Sequence, residues 1–175
     1  MNLPKFIASS FAFCVLFASC VTQHKQMESK NENLKILLIS DLNDSYGSVG
    51  YSKEVHDVVK RVKDIQPDII LCGGDMVAGQ KASLTASRLD SMWLAFDQSV
   101  LTPINQLGIP FGFTMGNHDA SPGYLLDRTA ASSFWKMNKH KANLTYVDDT
   151  HFPYYFSYIK NNVFFISWDA SSSVI

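Results

Sequence analysis

Three short apolar segments, each followed directly by polar side chains, constrain the fold of this chain most. Each segment has the length and composition of a buried strand: Lys35–Ser40, Asp68–Cys72 and Ile109–Met115. Patterns of helical period separate them, so the predicted order is β-α-β-α-β. Strands joined by helical crossovers are parallel, which makes this an α/β fold.

The segments between the strands predict helices. Ser52 suits the N-cap of the first helix, and Gln66-Pro67 ends it. Its apolar face is Val55, Val58, Val59, Val62 and Ile65. A longer second helix is lined by Leu89, Met92, Trp93, Phe96 and Val100. Thr102-Pro103 predicts the N-cap and first turn of a short third helix that stops at Gly108.

The rest of the chain predicts one more helix and a hairpin. The helix covers Tyr124 to Asn138. The hairpin pairs Tyr154–Tyr158 with Val163–Trp168 through the turn Lys160–Asn162. We find no internal repeat and no low-complexity segment in the sequence.

The N-terminal twenty residues differ in composition from the rest of the chain and predict export. Lys5 precedes a mostly apolar run, Phe6 to Phe17, and Ala18-Ser19-Cys20 resembles the lipobox of bacterial lipoproteins. A plain cleaved signal and an uncleaved tether are the alternatives, although the run is short for a membrane span. We therefore expect a lipoprotein signal over 1–20, a polar linker over 21–33 and one domain over 34–175. The protein would be exported to the cell envelope and anchored to a membrane by lipid on Cys20.

Composition and charge limit the classes of partner. The 175 residues are 46% hydrophobic and 18% charged, as in a globular domain, and the formal net charge is -1. A broad nucleic-acid-binding face is therefore not indicated. Cys14 would leave with the signal and Cys20 would be acylated, so Cys72 is expected to be a buried apolar side chain rather than half of a disulfide.

The polar residues at the strand ends predict a metal site. In open parallel sheets, loops at the carboxyl ends of the strands converge on the binding site. Carboxylate and amide oxygens gather there without a neighbouring cation in the sequence, and a metal ion would relieve their repulsion. The predicted ligands are Asp41, Asn43, Asp75 and Asn117.

Together these blocks resemble the calcineurin-like metallophosphoesterase family, which carries Asp-x-His, Gly-Asp and Gly-Asn-His-Asp/Glu in this order. The resemblance runs from about Leu34 to Ser171 and implies a layered α/β sandwich. It also implies two divalent metal ions: Asp41 and residue 43 bind the first, Asp75 bridges both, and Asn117 binds the second. His118 would contact the phosphate or protonate the leaving oxygen, with Asp119 orienting it.

The chain departs from the family pattern in two ways. Asn43 replaces the usual histidine, which favours Mn²⁺, with Mg²⁺, Ca²⁺, Zn²⁺ or Fe as alternatives. The later Gly-His and Gly-His-x-His blocks are absent, since neither His140 nor His151 follows a glycine. We therefore expect the 175 residues to be the N-terminal part of a longer domain, with poor activity on their own.

Three hypotheses about the function remain open from the sequence. The first is a phosphoesterase that hydrolyses a phosphomonoester or phosphodiester by attack of metal-bound hydroxide. The second is a catalytically silent metal- or phosphate-binding module, or an inactive fragment of such an enzyme; a nuclease is a third hypothesis. Secondary candidates near the site are Tyr46, Gly47 and Ser48, which line the pocket or form a turn, and Lys81 and Arg128, which contact phosphate or lie on the surface.

Overall fold

A computed structural model describes residues 33–171 of the chain. The predicted signal peptide and all but the last residue of the predicted linker lie outside this range. Within it, three parallel strands form one sheet in the order β1-β2-β3: β1 is Ile36–Ile39, β2 is Ile69–Cys72 and β3 is Phe111–Phe113. Ile39 pairs with Cys72, and Cys72 pairs with Phe113, so all three strands end at the same edge. The predicted parallel α/β arrangement is confirmed.

Helix α1 (Lys53–Ile65) connects β1 to β2 and has the predicted caps. The Ser52 side chain accepts a hydrogen bond from the amide of Val55, and Gln66 ends the helix in the left-handed conformation, with φ 48°. Val62 is the fully buried member of the predicted apolar stripe, while Val58 and Ile65 are exposed. This helix is therefore covered on a narrower face than its sequence predicts.

Helix α2 (Ala86–Phe96) does not stop before Thr102. It continues through a π-helical turn, Asp97–Leu101, into α3 (Thr102–Gln106). The prediction that Thr102 caps a separate helix is wrong, because the preceding residue is already helical and the Thr102 hydroxyl donates instead to Asp97 Oδ1 at 2.8 Å. A π turn changes the hydrogen-bond register of a helix without ending it. Pro103 follows this turn directly and is accommodated there.

The C-terminal half forms α4 (Leu125–Asn138), a short 3₁₀ turn (Lys139–Ala142) and an antiparallel sheet in the order β4-β5-β6. The strands are β4 (Thr145–His151), β5 (Tyr155–Lys160) and β6 (Val163–Trp168). The predicted helix and hairpin are confirmed. The hairpin turn is Asn161-Asn162, both at positive φ, as a type I′ hairpin turn requires. Strand β4 was not predicted.

Aromatic side chains join the two sheets to α2 and α4. The Phe113 and Trp135 rings are stacked with centroids 3.7 Å apart, and Phe113 also lies 5.1 Å from Phe156 of β5. We call this the aromatic cluster; its members are Trp93, Phe96, Phe111, Phe113, Phe134, Trp135 and Phe156, all buried. The cluster confirms that Trp93 and Phe96 are core residues and holds β3 in place beneath the loop after this strand.

Cys72 is buried at the end of β2, as predicted, and has no disulfide partner in the part of the chain that the structure describes. Burial in apolar surroundings raises the pKa of its thiol to about 12. The thiol is therefore a small apolar side chain at neutral pH. Among residues 33–171, no helix is both long enough and apolar enough to cross a membrane.

Candidate active site

Backbone hydrogen bonds join the loops after β1 and β2. The amide of Asp41 donates to the carbonyl of Gly74 at 3.2 Å. The amides of Leu42 and Asn43 both donate to the carbonyl of Asp75, at 2.9 and 3.2 Å. The ladder between the two parallel strands thus continues past their ends and brings Asp41, Asn43 and Asp75 to one place.

The loop after β3 is attached through the Asp75 side chain. Asp75 Oδ1 accepts a hydrogen bond from the amide of His118 at 3.1 Å. The carbonyl of Asp75 therefore holds the first loop, while its carboxylate holds the third. Asp75 lies between the other two polar blocks, which is the position that a bridging ligand needs.

Asp41 and Asp75 share an uncommon backbone conformation. Both have φ 54°, in the left-handed region that few residues other than glycine adopt. Aspartate tolerates this region better than most side chains, yet the conformation still costs free energy. Its occurrence two residues past the end of β1 and three residues past the end of β2 indicates that the strain is kept for the placement of these two carboxylates.

Two glycines allow the loops to approach one another. A Cβ on Gly74 would lie 2.6 Å from the amide nitrogen of Gly116, and a Cβ on Gly116 would lie 2.0 Å from Asp75 Oδ1. Real Cβ atoms do not come this close to other heavy atoms, so any side chain at either position would push the loops apart. The glycines of the Gly-Gly-Asp and Gly-Asn-His-Asp blocks are therefore needed for contact between the blocks.

The side-chain NH₂ groups of the two asparagines both donate to protein oxygens. Asn43 Nδ2 donates to the carbonyl of Val77 at 3.2 Å, and Asn117 Nδ2 donates to Gln80 Oε1 at 3.1 Å. With the NH₂ groups used by protein acceptors, each side chain has its Oδ1 left to bind a cation. Both asparagines thus present an oxygen rather than a nitrogen to the candidate site.

The donor set fits a hard divalent cation. Asp41 and Asp75 provide carboxylates and the two asparagines provide amide oxygens, which suit Mn²⁺, Mg²⁺ or Ca²⁺ better than Zn²⁺. Neither carboxylate forms an ion pair with a lysine or arginine within residues 33–171. In the same range no cluster of three or more His, Cys, Asp or Glu side chains is placed to hold a metal. The candidate site consists of two carboxylates and two amides instead.

His118 lies beside these candidate ligands, and its backbone is hydrogen-bonded on both sides. Its amide donates to Asp75, and its carbonyl accepts from the amide of Gly79 at 3.0 Å. The ring lies 5.1 Å from the ring of Tyr46, which is half exposed on the first loop. His118 Nδ1 is buried and has no hydrogen-bond partner among the described residues. The imidazole therefore lies at the site with Nδ1 unpaired in the part of the chain that the structure describes.

Asp119 was predicted to orient the His118 ring, but its carboxylate is bonded elsewhere. Its two carboxylate oxygens accept hydrogen bonds from the amides of Val77 and Gly116, each at 2.9 Å. The side chain is 1% exposed, and burial raises its pKa to about 7 although these amides oppose the shift. Asp119 therefore joins the loops after β2 and β3, and no hydrogen bond between its carboxylate and the His118 ring is formed. The sequence suggested an orienting role from adjacency alone.

The structure also shows the surroundings of the secondary candidates Arg128, Lys81 and Gly47. Arg128 donates to Asp169 Oδ2 and to the carbonyl of Ala120, both at 2.9 Å, and lies over the Tyr154 ring. Since Asp169 is fully buried, this pair links α4 to the end of β6, and a role for Arg128 in phosphate binding is not supported. Lys81 is exposed. Gly47 forms a turn with φ 81°, and its amide donates to the carbonyl of Ala78 at 2.7 Å.

Comparison with known proteins agrees with this geometry. A model of the calcineurin-like phosphoesterase family matches residues 34–170, most of the chain. The chain belongs to the calcineurin-like phosphoesterase family. The resemblance seen in the sequence is thus confirmed, together with the α/β fold. Calcineurin-like phosphoesterases bind divalent metal ions and hydrolyse phosphoesters, which is the general chemistry that the strand-end residues suit. A comparison with curated proteins gave no match.

Two residues of the candidate site were not predicted from the sequence. Gln80 contacts Asn117, and Asp127 of α4 accepts from the amide of Gln80 at 2.7 Å. Gln80 follows the Gly-Gly-Asp block by five residues, so its proximity in sequence was a weak signal. Asp127 comes from a helix after the last block, and nothing in the local sequence separates it from a surface carboxylate.

Proposed function

We propose that this chain is a metal-dependent phosphoesterase acting on a phosphomonoester or a phosphodiester. The observation that carries the proposal is the pair of contacts made by Asp75: its carbonyl holds Leu42 and Asn43, and its carboxylate holds His118. All three polar blocks thereby meet at one edge of the parallel sheet. An oxygen-lined site beside an imidazole suits phosphoryl transfer to water.

We propose two divalent ions, Mn²⁺ first among them, held by this chain's oxygen donors. Asp41 and Asn43 would bind one ion, Asn117 would bind the other, and Asp75 would contact both. When bound, such ions supply an activated water and neutralise the charge on the phosphate. Asn43 and Asn117 contribute without adding negative charge, so the site carries two carboxylates for two ions. That surplus of positive charge favours an anionic substrate.

His118 is proposed as the general acid. Its ring is next to the ligands, and an imidazolium there can donate a proton to the leaving oxygen. The proton matters most for a poor leaving group, such as an alkoxide. Removing a general acid costs ~10²–10⁴-fold in rate when that proton is needed. Asp119 supports His118 through the loop, by its hydrogen bonds to Val77 and Gly116.

The proposal is tested with an aryl phosphate, an alkyl phosphate and Mn²⁺. We expect turnover, weak for these 175 residues on their own, and its loss in Asp75→Asn, with Asp64→Asn, an exposed carboxylate on α1, as the matched control. His118→Ala should retain its metal and lose more activity on the alkyl ester than on p-nitrophenyl phosphate, since the nitrophenolate leaves without a proton. Equal losses on both esters would remove the acid role, and loss of metal would make His118 a ligand.

A silent metal- or phosphate-binding module is the second candidate, favoured by Asn43 in place of the family's histidine. It predicts Mn²⁺ binding that Asp75→Asn abolishes, without turnover of either ester. Metal binding and turnover measured on the same samples separate the two functions. Turnover that disappears with the metal supports the enzyme.

We further propose that the protein is exported and held at a membrane by lipid on Cys20. The support is the sequence alone: an apolar run that ends in Ala18-Ser19-Cys20. Metabolic labelling with a palmitate analogue should be lost in Cys20→Ser and kept in Ser19→Ala. Undiminished labelling of Cys20→Ser would contradict lipidation at this residue.

A further inference from the structure

Gln80 contacts a proposed metal ligand from outside the ligand set. Its Oε1 accepts a hydrogen bond from Asn117 Nδ2 at 3.1 Å. An asparagine amide can face a cation with its oxygen, which binds, or with its NH₂ group, which repels. In this arrangement Gln80 holds the NH₂ group, and the oxygen of Asn117 is left for the metal.

The backbone of Gln80 is itself held in an unusual conformation. It has φ 62°, in the left-handed region, and its amide donates to Asp127 Oδ2 at 2.7 Å. Asp127 lies in the first turn of α4 and is 2% exposed. A buried carboxylate that accepts a short hydrogen bond from one amide is a strong restraint, so Asp127 fixes where the Gln80 side chain begins.

Gly79, the residue before Gln80, packs closely against both the loop after β3 and α4. A Cβ on Gly79 would lie 2.4 Å from the carbonyl oxygen of His118 and 3.1 Å from Asp127 Cγ. The Gly79 amide also donates to that carbonyl. Residues 79 and 80 are thus packed between the loop that carries Asn117 and the start of α4, with little room for another path of the chain.

We propose that Gln80, anchored by Asp127, is a positioning residue that turns the Asn117 amide oxygen toward the second metal ion. The proposal rests on the assignment of Asn117 as a ligand. It adds two residues that touch neither the metal nor the substrate, and whose effect passes through the orientation of Asn117. Residues of this kind change metal affinity by about 10–100-fold in metalloenzymes.

The test is Mn²⁺ affinity of the protein, measured by calorimetry or by the signal of free Mn²⁺ in electron paramagnetic resonance. Gln80→Met keeps the length of the side chain and removes the acceptor, so the weaker of the Mn²⁺ affinities should fall by ~10-fold or more. Gln80→Glu keeps an acceptor and should bind at least as tightly as the wild type. Gln98→Met, the same change at an exposed residue of the π turn, should have no effect.

A double-mutant cycle tests the anchor. Asp127→Leu removes the acceptor for the Gln80 amide and should weaken the same Mn²⁺ affinity, with little further loss when Gln80→Met is added. Independent, additive losses would overturn the connection between the two residues. Thermal unfolding without metal shows whether Asp127→Leu folds. If it does not, the Gln80 variants alone decide the positioning role, because the Gln80 side chain is partly exposed and its substitution should not prevent folding.

Asn117→Ala separates failure of this inference from failure of the proposed site. If Asn117→Ala weakens Mn²⁺ binding while Gln80→Met leaves it unchanged, the positioning role is overturned and the ligand set stands. If Asn117→Ala also leaves Mn²⁺ binding unchanged, both the ligand assignment and the positioning role are overturned. Loss in Asn117→Ala and Gln80→Met, with retention in Gln80→Glu, supports the inference.

Discussion

The aromatic cluster and the strand-end site share strand β3 but are built from different interactions. In the cluster, buried rings contact one another, as Phe113 and Trp135 do at 3.7 Å between centroids. At the site, backbone hydrogen bonds join loops whose aspartates have φ 54°, a conformation that costs free energy. The cluster therefore stabilises the fold, and the site uses part of that stability to hold strained carboxylates together.

This difference predicts that substitutions in the two regions have separate effects. A change in the aromatic cluster should lower the free energy of unfolding and leave the metal affinity of the folded protein unchanged. A change in the contacts between the loops should lower metal affinity with a smaller effect on unfolding. Substitutions in each region, and one outside both, test that separation.

The largest effect is expected from Trp135→Ala. The Trp135 side chain is fully buried and contacts rings from β3, α2 and α4. Its removal leaves a cavity that the rigid neighbours fill only in part, and should lower the free energy of unfolding by ~3–5 kcal/mol. Urea denaturation followed by circular dichroism measures this value.

Met137→Ala on the same helix is the control, because Met137 is 71% exposed and should cost less than about 0.5 kcal/mol. Mn²⁺ affinity, measured where Trp135→Ala remains folded, should match the wild type. A large drop in that affinity would show that the cluster and the site are not separable.

A smaller effect, of a different kind, is expected from Gly116→Ala. The new Cβ would lie 2.0 Å from Asp75 Oδ1, so the carboxylate or the loop must move. Because Asp75 is proposed to contact both ions, Mn²⁺ affinity should fall by ~100-fold, which corresponds to about 2.8 kcal/mol. Isothermal titration calorimetry measures the change.

Gly123→Ala is the matched control, since a Cβ there makes only an ordinary contact, 3.7 Å from Ser121 Oγ. It should bind Mn²⁺ as the wild type does. Wild-type Mn²⁺ affinity in Gly116→Ala would mean that close contact between the loops is not needed for the site.

The smallest effect is expected from Ser52→Ala at the start of α1, a helix outside both regions. The substitution removes the acceptor for the Val55 amide and should lower the free energy of unfolding by about 1 kcal/mol. Ser83→Ala, at an exposed loop residue, should not change it. If Ser52→Ala altered Mn²⁺ affinity, the loop between β1 and α1 would depend on the helix cap.

The sequence predicts the parts of this structure that depend on local patterns. The three strands, the caps of α1 and the apolar line from Leu89 to Val100 follow from hydrophobic period and from the residues at helix ends. The order of the polar blocks predicted a common site, because parallel strands present their carboxyl ends at one edge. The predictions of strands, helix caps and core residues are confirmed where the structure describes them, and the shared metal site stays a prediction.

Other features depend on contacts between distant segments and were not predictable from local patterns. The role of Asp119 is decided by the amide of Val77, which lies 42 residues earlier. Asp127 likewise acts on Gln80 from another element. Strand β4 contains Asp148 and Asp149, and its pairing with β5 has register shifts. Its sequence therefore lacks the regular alternation of apolar and polar residues that predicts a strand. The π turn joins α2 to α3 at the point where Thr102-Pro103 predicted the start of a separate helix.

The most direct test of the metal site is anomalous diffraction from crystals of the protein grown with Mn²⁺. The account predicts anomalous difference density at the carboxyl ends of β1 and β2, within coordination distance of Asp41 and Asp75 oxygens, and its disappearance in Asp75→Asn. Density elsewhere on the protein, with none beside Asp75, would contradict it.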